Sequence, residues 1–325
     1  MLIGSSAILL NLLSITVLAF IVSALFVVIA ERLIIPRIDN VSFTLRKTTL
    51  WLTVTAPWWI AVSCLVIFWP QQQGIFPLNW LNDFAHWHHV EQFNFASWHT
   101  FTLVVAGAYL TWSLAKSVHA STRQFSALSD LLGLTTEPEI KNSENVSYYM
   151  IANTIPTAFT SGLLRPKVYL TTALTQQVTA RELAIIVSHE TAHVKARDPL
   201  FKFIFAIFAN VFPSSTAINL RNQYTLLTEQ MADHAVTNVH DRFDVAQALI
   251  NIVRLQSRNS HIASTTASYF GEDQISKRVN YLIAPDLTRS HWAITMTLLL
   301  LSVLPWVTAS GVDSLHHLIE TIFTH

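Results

Sequence analysis

Four stretches of the sequence, 7–30, 50–69, 96–115 and 292–309, contain no Asp, Glu, Lys or Arg and are rich in large apolar residues. Each is close to or above the about 20 residues that an α-helix needs to cross a bilayer. The first lacks the basic start and small-residue cleavage site of a signal peptide, so it reads as a retained helix. Pro57 predicts a kink in the second. A fifth apolar run, 200–212, contains Lys202 and has only the length of a buried-core or interfacial helix.

Composition and charge placement point the same way. Only 12% of residues are charged and 51% are hydrophobic, against about 25% charged in an ordinary soluble domain. The formal net charge is zero, so no basic field predicts direct nucleic-acid binding. The single cysteine, Cys64, lies in the second apolar stretch. This excludes an intramolecular disulfide framework and a Cys-based zinc site, so any metal must be held by His and carboxylate. All 20 Lys and Arg lie in 32–47 and 116–289. Basic residues are retained on the cytoplasmic side of a membrane. The expected topology therefore has both termini outside, a basic first loop inside, and one large inside segment. A buried core in a soluble protein gives no reason for such segregation.

The expected fold class is a mainly α membrane protein with four transmembrane helices and a cytoplasmic α+β domain inserted between the third and fourth. The membrane domain is 1–115 and the cytoplasmic domain 116–290. Residues 291–325 supply the fourth helix and a short periplasmic tail. Within the inside segment, "VSYYMIANT" and "RPKVYLTTAL" are β-branched and aromatic and flank "PTAFTSGLL", a Pro and Gly turn region, which predicts a small hairpin or sheet.

From Thr179 onward the pattern is helical. Thr179-Ala-Arg-Glu182 fits a capping box, and the helix it starts runs to about Arg197. His189-Glu190-Thr191-Ala192-His193 lies on it. Residues four apart on a helix face the same way, so His189 and His193 converge on one ion while Glu190 reaches a water beside it. Zinc held by two His needs a third protein ligand and keeps its fourth position for water. "LLTEQMADHAV" offers Glu229 as that ligand. Asp233 lies one turn on, where it would accept a hydrogen bond from a ligand imidazole, His189.

"HETAHVKARD", followed some 30 residues later by "EQMAD" and preceded by "SGLLRPKVYLTTAL", all between a third and a fourth transmembrane helix, resembles the BlaR/MecR family of integral-membrane zinc metallopeptidases. The resemblance implies a gluzincin-like peptidase domain in a bacterial inner (plasma) membrane, with one catalytic Zn2+. Family members transduce an outside signal by proteolysis, commonly of a transcriptional repressor. Antibiotic sensors of the family carry a penicillin-binding domain after the last helix. This sequence ends 16 residues past Ala309, so β-lactam sensing is not expected. HtpX-type quality-control proteases are the near alternative, but they place two transmembrane helices between motif helix and third ligand. A zinc-stabilised, non-catalytic signalling scaffold would not need Glu190. A channel or transporter would need ionisable groups inside its spans.

The resulting expectation is hydrolysis of a peptide bond in a cytoplasmic protein or in the chain itself. His189, His193 and Glu229 hold zinc, and Glu190 is the general base. The strand Lys167, Val168, Tyr169, Leu170, Thr171 would add an extended substrate at its edge. Tyr224 and His240 are candidates for stabilising the oxyanion. Arg278 resembles a family position near the domain's end, and an exposed charge fits it equally. Asp198, at a helix C-terminus where the dipole disfavours an anion, would pair with Arg197 or Arg181 or act near the metal. His86, His88, His89 and His99, with His316 and His317 of the tail, form a candidate outside metal site.

Overall fold

The computed structural model describes residues 2–34, 41–69, 91–133, 139–143, 146–259, 265–284 and 291–323. Along the chain, β1 (Leu2–Ile3), α1 (Ser5–Ile34), α2 (Phe43–Ile67), β2 (Gln92–Phe93) and α3 (Trp98–Gly133) come first. Four strands follow: β3 (Glu139–Ser143), β4 (Val146–Ile151), β5 (Ala158–Ser161) and β6 (Lys167–Thr171). Seven helices complete the described residues: α4 (Thr172–Gln177), α5 (Ala180–Ala196), α6 (Asp198–Ala209), α7 (Ser214–Val236), α8 (Arg242–Asn259), α9 (Thr265–Ile283) and α10 (His291–Phe323). The molecule divides into two compact units, one of residues 1–116, 208–217 and 288–325, the other of 117–207 and 218–287.

In the first unit, three helices among the described residues are long and apolar enough to cross a membrane: Ser5–Arg32, Phe43–Ile67 and Trp98–His119. The fourth expected span falls within α10, part of which has side chains outside the described residues. α1, α2 and α10 pack on one another, with Leu12, Ile15, Leu50, Val54, Ile60 and Cys64 fully buried. α2 runs unbroken past Pro57. The antiparallel pair β1–β2 ties the N-terminus to the residues that precede α3.

Two boundaries differ from the sequence reading. α3 continues beyond 115 to Gly133, and α10 beyond 309 to Phe323, so the expected tail is helical. Both extensions are polar or amphipathic and contain no proline. Loss of hydrophobicity ends a span without ending a helix. Residues 208–217, expected inside the cytoplasmic domain, belong to the unit of spans.

The second unit holds a four-stranded sheet of order β3-β4-β6-β5. β3–β4 and β5–β6 are antiparallel and β4–β6 parallel. The stretch read as a turn, "PTAFTSGLL", thus contains a strand of its own. β6 is flanked on both sides, Tyr169 pairing with Tyr149 and with Phe159. β6 thus lies inside the sheet, paired with β5 over Lys167–Leu170 and with β4 over Tyr169–Thr171, so the strand Lys167, Val168, Tyr169, Leu170, Thr171 is not the sheet edge expected for substrate. β5 is the edge.

α5 lies between two hydrophobic clusters. Ile186 and Val187 pack with Tyr148, Val168, Leu170 and Leu174, against sheet and α4. Ile185 packs with Val236, Val245, Ala246, Ala248 and Leu282, against α7, α8 and α9. This double burial holds the motif helix from both sides.

The β5–β6 turn begins at Gly162, at φ 112, where an added Cβ would lie 2.7 Å from the Arg165 carbonyl oxygen. Gly162→Ala is expected to destabilise the second unit by more than the about 1 kcal/mol that a mismatched backbone costs. Thermal unfolding of the detergent-solubilised protein measures this, and an unchanged midpoint would contradict the turn assignment.

Candidate metal centre

The site starts from a well-formed helix. Thr179 accepts from the Glu182 amide while the Glu182 carboxylate accepts from the Thr179 amide, which gives the reciprocal capping box. α5 ends at Arg197 in the left-handed conformation, φ 53. α6 begins at the next residue, Asp198. This sharp reversal brings Asp198 back against the last turn of α5, where His193 Nδ1 donates to Asp198 Oδ2 at 2.6 Å. Of the partners weighed for Asp198, the structure gives the one beside the metal-ligand candidates.

His189 and His193 project from one face of α5 with Nε2 atoms 3.2 Å apart. Glu229 on α7 meets them, Oε2 lying 3.4 Å from His189 Nε2 and Oε1 3.6 Å from His193 Nε2. Among the described residues these three form the one His/Cys/Asp/Glu group of three or more whose ligand atoms all lie within 4.8 Å of one another. Asp233, one turn on along α7, places Oδ1 3.1 Å from His189 Nδ1.

Each imidazole therefore turns its Nδ1 to a buried aspartate and its Nε2 to a common point. Neutral rings held this way aim two lone pairs and a carboxylate at one another, an arrangement that needs a cation between them. Ligands placed tetrahedrally at the about 2.0–2.1 Å of zinc–nitrogen bonds are about 3.3–3.4 Å apart, close to the separations found here. Charge agrees. Glu190, Asp198, Glu229 and Asp233 are four carboxylates, and Lys202 and Arg278 are the two fixed cations among them. Two negative charges remain for a divalent ion to offset. The donor set fits zinc.

Without a metal, protons take the cation's place. Burial alone would push the His189 imidazole down, but hydrogen bonds to Asp233 and Glu229 overcome it and raise it to about 9. His193 is likewise raised against its burial, by Asp198 and Glu229. Burial opposes ionisation of Glu229, yet both imidazoles, with Lys202 and Arg278, hold it well below the ordinary carboxylate range. Asp233 is lowered, against its burial, by Arg278 and His189.

Arg278, left open by the sequence, has a defined place. Its Nε and Nη2 each donate to Asp233 at 2.8 Å, and its Nη1 lies 3.3 Å from Glu229 Oε2. Two of its nitrogens thus engage Asp233, behind His189, and the third engages the ligand candidate Glu229 itself. Tyr224 stacks face to face on Phe205, ring centroids 4.3 Å apart, and His240 follows the end of α7 with its Nε2 buried and lacking a hydrogen-bond partner among the described residues. Neither lines the cleft, so neither holds the oxyanion position considered for it. In the other unit, His99 Nδ1 pairs with Ser14 Oγ at 2.7 Å, and its ring lies 5.8 Å from that of His316. His86, His88 and His89 lie outside the described residues.

A cleft of about 570 Å3 opens on the ligands, lined by β5, Glu190, His193, Asp198, Lys202 and Glu229 among others. Sequence reasoning missed two of its polar residues. Thr160 on β5 donates to Glu190 Oε2 at 2.8 Å. Lys202, one turn past Asp198, donates to Glu229 Oε1 at 3.1 Å. No local motif marks Thr160, because its relation to Glu190 arises from sheet packing. Lys202 had a signal, a lone charge in an apolar run.

Residues 77–282 match the family model described as BlaR1 peptidase M56. Curated relatives include the methicillin resistance mecR1 proteins of Staphylococcus aureus (strain Mu50 / ATCC 700699) and Staphylococcus epidermidis. Each is 24% identical over 133 residues, 38% of this chain and 22% of the relative's own length. The match thus spans about a fifth of the curated relatives.

The Arg278 pair gives a direct test of this geometry. Asp233 is 2% exposed, and removing one partner of a buried ion pair costs about 3–5 kcal/mol. Arg278→Met is expected to lower the unfolding midpoint of the metal-free protein accordingly. A midpoint equal to wild type would show that Asp233 does not depend on Arg278.

Proposed function

Because the chain belongs to the BlaR1 peptidase M56 family, we propose that it is an integral-membrane zinc metalloendopeptidase that cleaves a cytoplasmic protein substrate. The carrying observation is the convergence of His189, His193 and Glu229 beside Glu190 in one cleft. The mecR1 relatives are named for methicillin resistance. With them, the membrane helices support a signalling role in a bacterial inner membrane, with inactivation of a transcriptional repressor as the specific event. The basic-residue pattern supports a cytoplasmic face for the peptidase unit.

In this mechanism His189, His193 and Glu229 would hold the zinc, and Asp233 and Asp198 fix the two imidazole tautomers by accepting hydrogen bonds from their Nδ1–H groups. Zinc in such a set supplies a Lewis acid that polarises a carbonyl and lowers the pKa of water towards neutrality. The edge strand β5 binds an extended substrate through main-chain hydrogen bonds, its other edge being occupied by β6. Thr160 orients the Glu190 carboxylate. Glu190 then takes the proton of the attacking water and returns it to the amide nitrogen as the peptide bond breaks. Lys202, the cation among the described cleft residues, offsets negative charge developing on the substrate carbonyl oxygen.

Glu190 is a base and no ligand in this reading, so Glu190→Gln should keep zinc near one ion per chain and leave folding intact. Cleavage of a candidate repressor, or of the chain itself, should fall by about 10²–10⁴-fold, the usual worth of a general base. His193→Ala should lose most of the zinc. Atomic emission beside immunoblotted cleavage in membranes reads both. Wild-type cleavage by Glu190→Gln would contradict the mechanism, and full zinc in His193→Ala the site.

A further inference from the structure

Residues 203–220, "FIFAIFANVFPSSTAINL", contain no charged residue and form the end of α6, the turn, and the start of α7. α6 is apolar nearly all round, yet it is not enclosed: Phe203 and Ala206 line the cleft, and away from the cleft Phe201 is exposed and Ile204, Ile207 and Phe208 are only half-buried. A helix hydrophobic on every side belongs in a large core or in a membrane.

The turn's own contacts give its depth. Within the unit of spans, the Tyr109 hydroxyl donates to the Val211 carbonyl at 2.8 Å and Ser113 donates to the Asn210 carbonyl at 3.2 Å. The Phe208 ring packs edge-on to Trp58. Tyr109 is the twelfth of the 22 residues of the span Trp98–His119, and Trp58 lies within about one turn of the middle of Phe43–Ile67. Two different spans thus put the turn near the centre of the apolar layer.

Carbonyls at and beyond a helix C-terminus have no intrahelical partner, and irregular backbone is tolerated in hydrocarbon only where its polar groups are satisfied. Tyr109 and Ser113 supply that need. The bracketing charges have matching heights. Lys202 lies seven residues before the end of α6 at Ala209, and Arg221 seven after the start of α7 at Ser214, about 10 Å of helix in each case. An arginine side chain adds several ångströms by snorkelling towards the headgroups.

We propose that residues 203–220 form a re-entrant hairpin inserted into the bilayer, its turn held by Tyr109 and Ser113 of α3, with lipid hydrocarbon as the partner of the open α6 face. At its other end α6 carries Asp198, the hydrogen-bond partner of His193. One helix thereby joins a membrane-held turn to the metal centre. The proposal does not depend on the chain being a peptidase.

The test is a depth measurement on the full-length chain in a Cys64→Ala background, reconstituted in phosphatidylcholine/phosphatidylglycerol vesicles. Nitroxide labels are placed through Ser215→Cys and, independently, Ile218→Cys. Val62→Cys, on the exposed face of α2, and Asn238→Cys, in the other unit, serve as lipid and water references. Power saturation is read with dioxygen and with a water-soluble nickel chelate. Both hairpin labels should show the high dioxygen and low nickel accessibility of position 62. Nickel accessibility equal to that at position 238 at both hairpin positions would overturn the proposal.

Discussion

Two imidazole nitrogens 3.2 Å apart, facing a carboxylate, are the constraint on which the second unit depends. Left uncompensated, such a set of lone pairs would spread apart or take up protons. Its shape is kept by the groups behind it, Asp198 on His193, Asp233 on His189, and Arg278 across Asp233 and Glu229. These groups come from α5, α6, α7 and α9, so packing of four helices and electrostatics of the site are a single problem. A buried charge network of this kind is a weak source of stability. It is better understood as a mould for a divalent ion.

The mould is mounted rigidly. α5 is buried on the sheet side and on the helix side, and its N-terminus is closed by a reciprocal cap. The left-handed Arg197 then turns the chain so that α6 starts beside the end of α5. The tight Gly162 turn fixes β5 against β6, which sets Thr160 on Glu190 and leaves the outer edge of β5 along the cleft.

Much of this was legible in the sequence, for a physical reason. Helical periodicity is local, so His189 with His193 and Glu229 with Asp233, each four apart, declare a shared face without any knowledge of the fold. The cap at Thr179 is equally local. Relations between elements were not legible. A four-residue strand between Pro156 and Gly162 reads as a turn, and the edge status of β5 rather than β6 is decided by pairing partners elsewhere in the chain. Asp198 had several charges within reach in sequence, and the choice among them is made by one positive φ at Arg197. The ends of α3 and α10 were placed where hydrophobicity stops, whereas the helices stop where backbone geometry does.

The central claim is that one zinc ion sits on two imidazoles and a carboxylate. Zinc K-edge absorption of the purified full-length protein tests it most directly. A four-coordinate shell of nitrogen and oxygen at about 2.0–2.1 Å is expected, with outer-shell scattering from two imidazole rings. A six-coordinate oxygen shell without imidazole scattering would contradict it.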